Sequence, residues 1–285
     1  MGKSNRSQPG MMMEAIQYFI ARTACCALAG VAVLFFACTD STSSSAPSVD
    51  GGIGQGGSMA RFTISGNYLY TVNDSQLSAF DISAPDRPQH LPQKTQYMDA
   101  GIETIFSMDT LLFVGSQTGM YIYNVTRDGF PQPMSYEPHI ASCDPVVAEG
   151  HYAYVTLNSE NTWCGRAVNE LRVYDISDLY HPRLVHTETG FRHPRGLGVD
   201  GDRLFVCDDG LRVFDVSSPG RPLWIDDLTH LPEARDIDAY DVIPLGGTLL
   251  LTGANGLYQF DYSGERLVFV SKIEVSPEQH DGYER

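Results

Sequence analysis

Five segments of this chain can be laid over one another, and that repetition constrains the fold more than any local pattern does. They are residues 68–83 (YLYTVNDSQLSAFDIS), 111–126 (LLFVGSQTGMYIYNVT), 152–177 (YAYVTLNSENTWCGRAVNELRVYDIS), 203–217 (RLFVCDDGLRVFDVS) and 249–263 (LLLTGANGLYQFDYS). Each reads as strand, tight turn, strand, and an ending of the Asp-x-Ser type. The endings fall at Asp81, Asn124, Asp175, Asp215 and Asp261, so the successive steps are 43, 51, 40 and 46 residues. The long step has a local cause: the third segment carries about ten extra residues around positions 160–169.

A period near forty-five with short strands of β-branched and aromatic residues, punctuated by Gly, Asn, Asp and Pro, is the pattern of a β-propeller. One four-stranded blade cannot bury both of its faces, so neighbours must stack around an axis. In the second repeat the four strands are expected at 103–108, 111–116, 120–125 and after Pro133. The first inner strand is expected at 60–65 and the last strand at 267–275. After residue 60 no ten-residue apolar pattern at helical spacing occurs. The expected fold is all-β: a five-bladed propeller of four-stranded antiparallel blades.

The endings DIS-x-P-x-x-P (81–88), DVSSPGRP (215–222) and LRVYDIS (171–177) resemble the bacterial LVIVD-repeat β-propellers, over residues 59 to about 275. The resemblance implies the fold and is nearly silent on activity. Repeats two and five depart from it, with Asn124 in place of the Asp and no prolines after Asp261-Tyr-Ser.

Ahead of the repeats the chain changes character twice. Residues 1–37 read as a targeting segment: Arg22 precedes the fifteen-residue apolar run TACCALAGVAVLFFA (23–37), which has the length of a signal core and is short for a membrane span. The run ends in Phe35-Phe36-Ala37-Cys38, which resembles a bacterial lipobox although the two phenylalanines are atypical. This predicts lipidation of Cys38; plain secretion and an uncleaved anchor are the other readings. Thr39, not Asp, follows Cys38, so the expected address is the outer membrane. Residues 38–58 are rich in Ser and Gly and read as a flexible tether. Residues 59–285 are the propeller head.

The chain has 19 Lys and Arg against 35 Asp and Glu, a formal charge of −16. This argues against nucleic acid as a partner, since phosphate binding needs clustered positive charge. The expected partners are the membrane, through the lipid, and an envelope protein, glycan or small ligand. An exported compartment permits disulfides. Cys143 enters the inner strand of repeat three and Cys164 sits in its insertion, two loop types that open on one propeller face, so a Cys143–Cys164 bridge is expected. Cys207 lies in the strand LFVC and reads as a small buried hydrophobe.

Counting back ten positions from Tyr70, Phe113, Tyr154, Phe205 and Leu251 lands on Ala60, Glu103, Asp144, Arg195 and Asp241. That register would set three carboxylates and one Arg around one channel mouth, either as a site for a cation or polar ligand or as an ion-pair network that closes the channel. FRHPR (191–195) brings His193, a candidate acid or base, to the same mouth. Trp163, in the insertion, is a candidate contact, with Tyr97 as a second exposed ring. The paired Asp208-Asp209 reads as turn chemistry, and the recurring Asp81, Asp175, Asp215 and Asp261 as acceptors of backbone N–H groups. No nucleophile elbow, zinc-protease helix, P-loop or haem motif is present, so no catalytic residue, metal or cofactor is assigned. A non-catalytic binding module is the leading reading. A propeller hydrolase or lyase acting on a sugar or lactone at the mouth is the other.

Overall fold

The computed structural model describes residues 56–139, 145–158 and 168–275. Blade 1 comprises β1 (Phe62–Ser65), β2 (Tyr68–Val72), β3 (Gln76–Asp81), and an outer edge in two pieces, β4 (Gln89–His90) and β5 (Gln96–Tyr97), both paired with β3 around a 3-10 turn at Pro92–Lys94. Blade 2 comprises β6 (Ile102–Met108), β7 (Leu111–Ser116), β8 (Gly119–Val125) and β9 (Pro131–Pro138). Blade 3 comprises β10 (Val146–Glu149), β11 (Tyr152–Asn158), β12 (Asn169–Asp175) and β13 (Arg183–Thr189). Blade 4 comprises β14 (Pro194–Asp200), β15 (Arg203–Asp208), β16 (Leu211–Asp215) and β17 (Leu223–Asp227). Blade 5 comprises β18 (Ala239–Leu245), β19 (Thr248–Gly253), β20 (Gly256–Asp261) and β21 (Val268–Glu274). Every blade is an antiparallel meander of consecutive strands, as the repeat requires. No described helix is long and apolar enough to cross a membrane.

The alternation of side chains along the middle strands builds the ring. In β15, Leu204 and Val206 join a buried cluster with Val147, Leu171 and Val173 of blade 3, whereas Phe205 and Cys207 join one with Val242, Leu251 and Phe260 of blade 5. A strand buried on both faces reads as a continuous apolar run, which is why LFVC shows no polar alternation. Among the described residues, four such clusters join blades 1 and 2, 2 and 3, 3 and 4, and 4 and 5.

None joins blades 5 and 1. The opposite faces of these two blades remain partly open: Leu69 and Ile64 in blade 1, and Ile243, Leu250 and Leu257 in blade 5, are half-buried, and Phe62 is 59% exposed. Among the described residues, a polar contact joins the segment just ahead of blade 1 to blade 5. Ser58 Oγ donates to Asp241 Oδ1 at 2.9 Å, and the Met59 amide donates to Oδ2 at 3.3 Å.

The Asp-x-Ser endings are Asx turns. Asp81, Asp175, Asp215 and Asp261 each accept the backbone N–H of the Ser two residues on, at 2.8, 3.0, 2.8 and 2.8 Å. Blade 2, with Asn124 in this place, uses another device: Thr126 Oγ1 accepts the Phe130 amide at 3.1 Å and donates to Asp128 at 2.6 Å. Hydrogen bonds from the serines hold all four aspartates below the usual carboxylate range; Asp175, also 2.5 Å from Arg183, lies at about 2. A carboxylate whose folded pKa is lowered contributes stability above its unfolded value, near ~3.9, and loses it as pH falls through the folded value. The melting temperature is therefore expected to drop between about pH 4 and about pH 2. A variant with Asn at all four positions should show a shallower drop in the same thermal-melt series; parallel curves would refute the assignment.

Candidate functional site

The inner-strand starts β6, β14 and β18 all begin with a register irregularity, between Ile102 and Thr104, Pro194 and Leu197, and Ala239 and Asp241. A bulge re-aims the side chains beside it. Three residues singled out by the count of ten, Glu103, Arg195 and Asp241, stand at these irregularities. Asp144, Cys143, Cys164, Trp163 and Cys38 lie outside the described residues.

Asp241 is wedged between two glycines. A Cβ built on Gly57 would lie 1.9 Å from its Oδ2, and one on Gly196 2.2 Å from its Oδ1. Ser58 Oγ, which donates to Asp241, accepts the Leu197 amide at 2.8 Å, so one hydroxyl ties the chain ahead of blade 1 to both blade 4 and blade 5. The Val242 amide also donates to Asp241 Oδ1, at 2.9 Å. Burial raises the Asp241 pKa, with these hydrogen bonds opposing the shift. The carboxylate is thus engaged within the protein. Ser58, which the sequence places in the tether, is 1% exposed.

Arg195, one strand away, pairs with Asp238 at 2.6 Å, and its guanidinium lies 5.0 Å over the Tyr240 ring. Its carbonyl accepts from Thr156 Oγ1 at 2.6 Å, a link to blade 3. Glu103 accepts from Gln117 Nε2 at 3.1 Å within blade 2. Arg195 and Asp241 therefore sit on neighbouring strands, while Glu103 is held by its own blade. Tyr97 is strongly exposed.

The FRHPR loop is held by a residue that sequence reasoning credited only with turn chemistry. Asp208 is buried, and its Oδ1 accepts the amides of both Arg192 and His193 at 2.7 Å. Its Oδ2 lies 2.5 Å from Arg212 Nη2. Asp209 does adopt the turn conformation, at φ 47°, and its carboxylate lies 2.5 Å from His193 Nδ1. His193 is thus a member of an anchored loop. Cys207 is fully buried and its thiol pKa is pushed well up by desolvation, which makes it an inert packing group.

The family model of the LVIVD repeat matches residues 56–91 and 142–188, which are repeats one and three. The sequence matches no curated protein. Among solved structures, the chain is similar to a functionally unknown protein from Desulfotomaculum acetoxidans, with a TM-score of 0.59 and 11% identity over 73% of this chain and 66% of that one. It is also similar to apo AztD from Citrobacter koseri, with a TM-score of 0.55 and 15% identity over 74% of this chain and 62% of that one. A second structure of Citrobacter koseri AztD gives 0.54 and 14%, over 74% and 61%. The chain spans less than two thirds of the length of these proteins, and at such identity the likeness is one of fold. Repeats two, four and five share the blade geometry without a family match, and the whole is a β-propeller of five blades, two of which match the LVIVD repeat.

Proposed function

We propose that this chain is an exported cell-envelope lipoprotein whose propeller head is a non-catalytic binding module, held to the outer membrane by acyl chains on Cys38. The observation that carries the reading is the order of segments: an apolar run closing on Ala37-Cys38, a Ser- and Gly-rich stretch, then a propeller. Two or more acyl chains suffice for stable anchoring, at about 0.8 kcal/mol per buried methylene. The binding reading is favoured over the hydrolase or lyase reading by the engagement of the charged groups near the mouth. Asp241 is held by Ser58 and Met59, Arg195 by Asp238, and Glu103 by Gln117.

Growth of an expressing bacterium with labelled palmitate tests the anchor. Label is expected on the wild-type chain in the membrane fraction, and neither label nor membrane retention on Cys38→Ser. A wild-type chain that carries no label would overturn the lipoprotein assignment.

A further inference from the structure

A second feature on the same face lies off the axis. The turn between β15 and β16, the FRHPR loop and the connection from β17 to β18 border an open pocket of about 280 Å³, lined among others by Arg192, Arg212, Trp224, Asp227, Thr229 and Arg235. Its floor is rigid. The Arg212 guanidinium is fixed by Asp208 and lies 4.7 Å over the Phe191 ring and 5.0 Å over the Trp224 ring. The indole N–H of Trp224 donates to the Asp226 carbonyl at 2.9 Å, yet the residue stays 52% exposed. A large ring locked in place and left half in solvent is a stacking platform, and ordering it on binding costs little further entropy.

The polar groups around that platform divide into spent and available. Asp208 is used by Arg212 and two amides, and Asp209 faces His193. Asp227 Oδ1 accepts both the amide and the hydroxyl of Thr229, at 2.8 and 2.5 Å, and its other oxygen takes no hydrogen bond among the described residues. The Arg192 guanidinium has no carboxylate partner among the described residues, in a chain of formal charge −16. Arg235 has only its neighbour Asp236, at 3.4 Å with both side chains exposed, an arrangement that contributes little in water.

We infer that this pocket binds a short saccharide that carries a carboxylate, with the Trp224 ring under a sugar face, Arg192 and Arg235 on the carboxylate, and Asp227 on a hydroxyl. A guanidinium fork matches a carboxylate in two parallel hydrogen bonds. A sugar ring offers an apolar C–H face to the indole, and its hydroxyls donate to a carboxylate acceptor. The volume suits one or two rings. A single inorganic anion would leave the Trp224 platform unused, and an acyl chain would bury the charged lining without partners. The inference rests on reading the head as a binding module and supplies its ligand class.

The test is isothermal titration of the full chain in detergent with digalacturonate and with its dimethyl ester, which removes the charges and keeps the rings. Saturable binding of the acid is expected, with at least tenfold weaker binding of the ester, and at least tenfold weaker binding of the acid by Arg192→Ala, whose side chain is exposed and not needed for folding. Trp224→Ala should also weaken binding tenfold, and Trp224→Phe, which keeps a ring over Arg212, should restore most of it. Arg221→Ala, in a loop at the opposite end of blade 4, should bind as the wild type does. No saturable binding of the acid up to about 10 mM, equal binding of acid and ester, or unchanged affinity in Arg192→Ala would each overturn the inference. Labelling of Cys38 is unaffected by any of these outcomes, so failure here is separable from failure of the lipoprotein reading.

Discussion

Gly196→Ala is expected to destabilise the head by about 3 kcal/mol, at the upper end for forcing a methyl into a filled site. The reason is what the methyl would meet. Besides Asp241 Oδ1 at 2.2 Å, it would lie 2.7 Å from both the Asp241 Cα and the Tyr240 carbonyl oxygen, backbone atoms of the next blade. Neither can move without shifting β18 against β14. Gly201 is the contrast: a Cβ there meets nothing within 4 Å, although its φ of 57° disfavours other residues. Gly201→Ala should therefore cost only about 1 kcal/mol, from backbone conformation alone. Thermal melts resolve the two, since about 3 kcal/mol corresponds to roughly 6–12 °C for a domain of this size. A Gly196→Ala protein melting within roughly 2 °C of wild type would show that the inner strands are not packed this closely.

Asp241→Ala is expected to cost about 2–3 kcal/mol, because it leaves the buried Ser58 hydroxyl without its acceptor and removes the contact between the segment just ahead of blade 1 and blade 5. Asp241→Asn keeps one oxygen for Ser58 and should cost less. The two variants also differ from wild type in their pH dependence. A carboxyl whose folded pKa is raised is most favourable when protonated, so its contribution to stability declines as pH rises from the unfolded value through the folded one. The stability of Asp241→Asn relative to wild type should therefore improve as pH rises above about 4. This is opposite in sign to the behaviour of the four Asx turns and falls in a higher pH window, so one melting series separates the two.

The middle strands were legible in the sequence because both their faces are buried. LLFV at 111–114 and LFVC at 204–207 alternate between two neighbouring blades, and a continuous apolar run is the trace that leaves. The turn aspartates were legible because an Asx turn is settled within three residues. The inner-strand starts were less so: a fixed count of ten cannot see the bulges that set the aim of Glu103, Arg195 and Asp241. Ser58 was hidden altogether. It closes a Ser- and Gly-rich stretch directly after Gly56 and Gly57, its partner is 183 positions away, and nothing local marks it as buried. The pocket beside Trp224 was equally out of reach, since its floor is assembled from a loop residue, Phe191, and a cross-strand residue, Arg212. Asp208 carried a visible signal, in that it falls opposite Pro194 at the end of the FRHPR loop.

Ser58 and Asp241 together close the seam on which, among the described residues, no apolar cluster sits. A double-mutant cycle on the full chain tests it directly, with urea unfolding of wild type, Ser58→Ala, Asp241→Ala and the double variant. A coupling of about 1–3 kcal/mol is expected, as for residues that share one part-buried hydrogen bond. Additivity within about 0.5 kcal/mol would contradict it, and would mean that blades 5 and 1 are held together by something other than this pair.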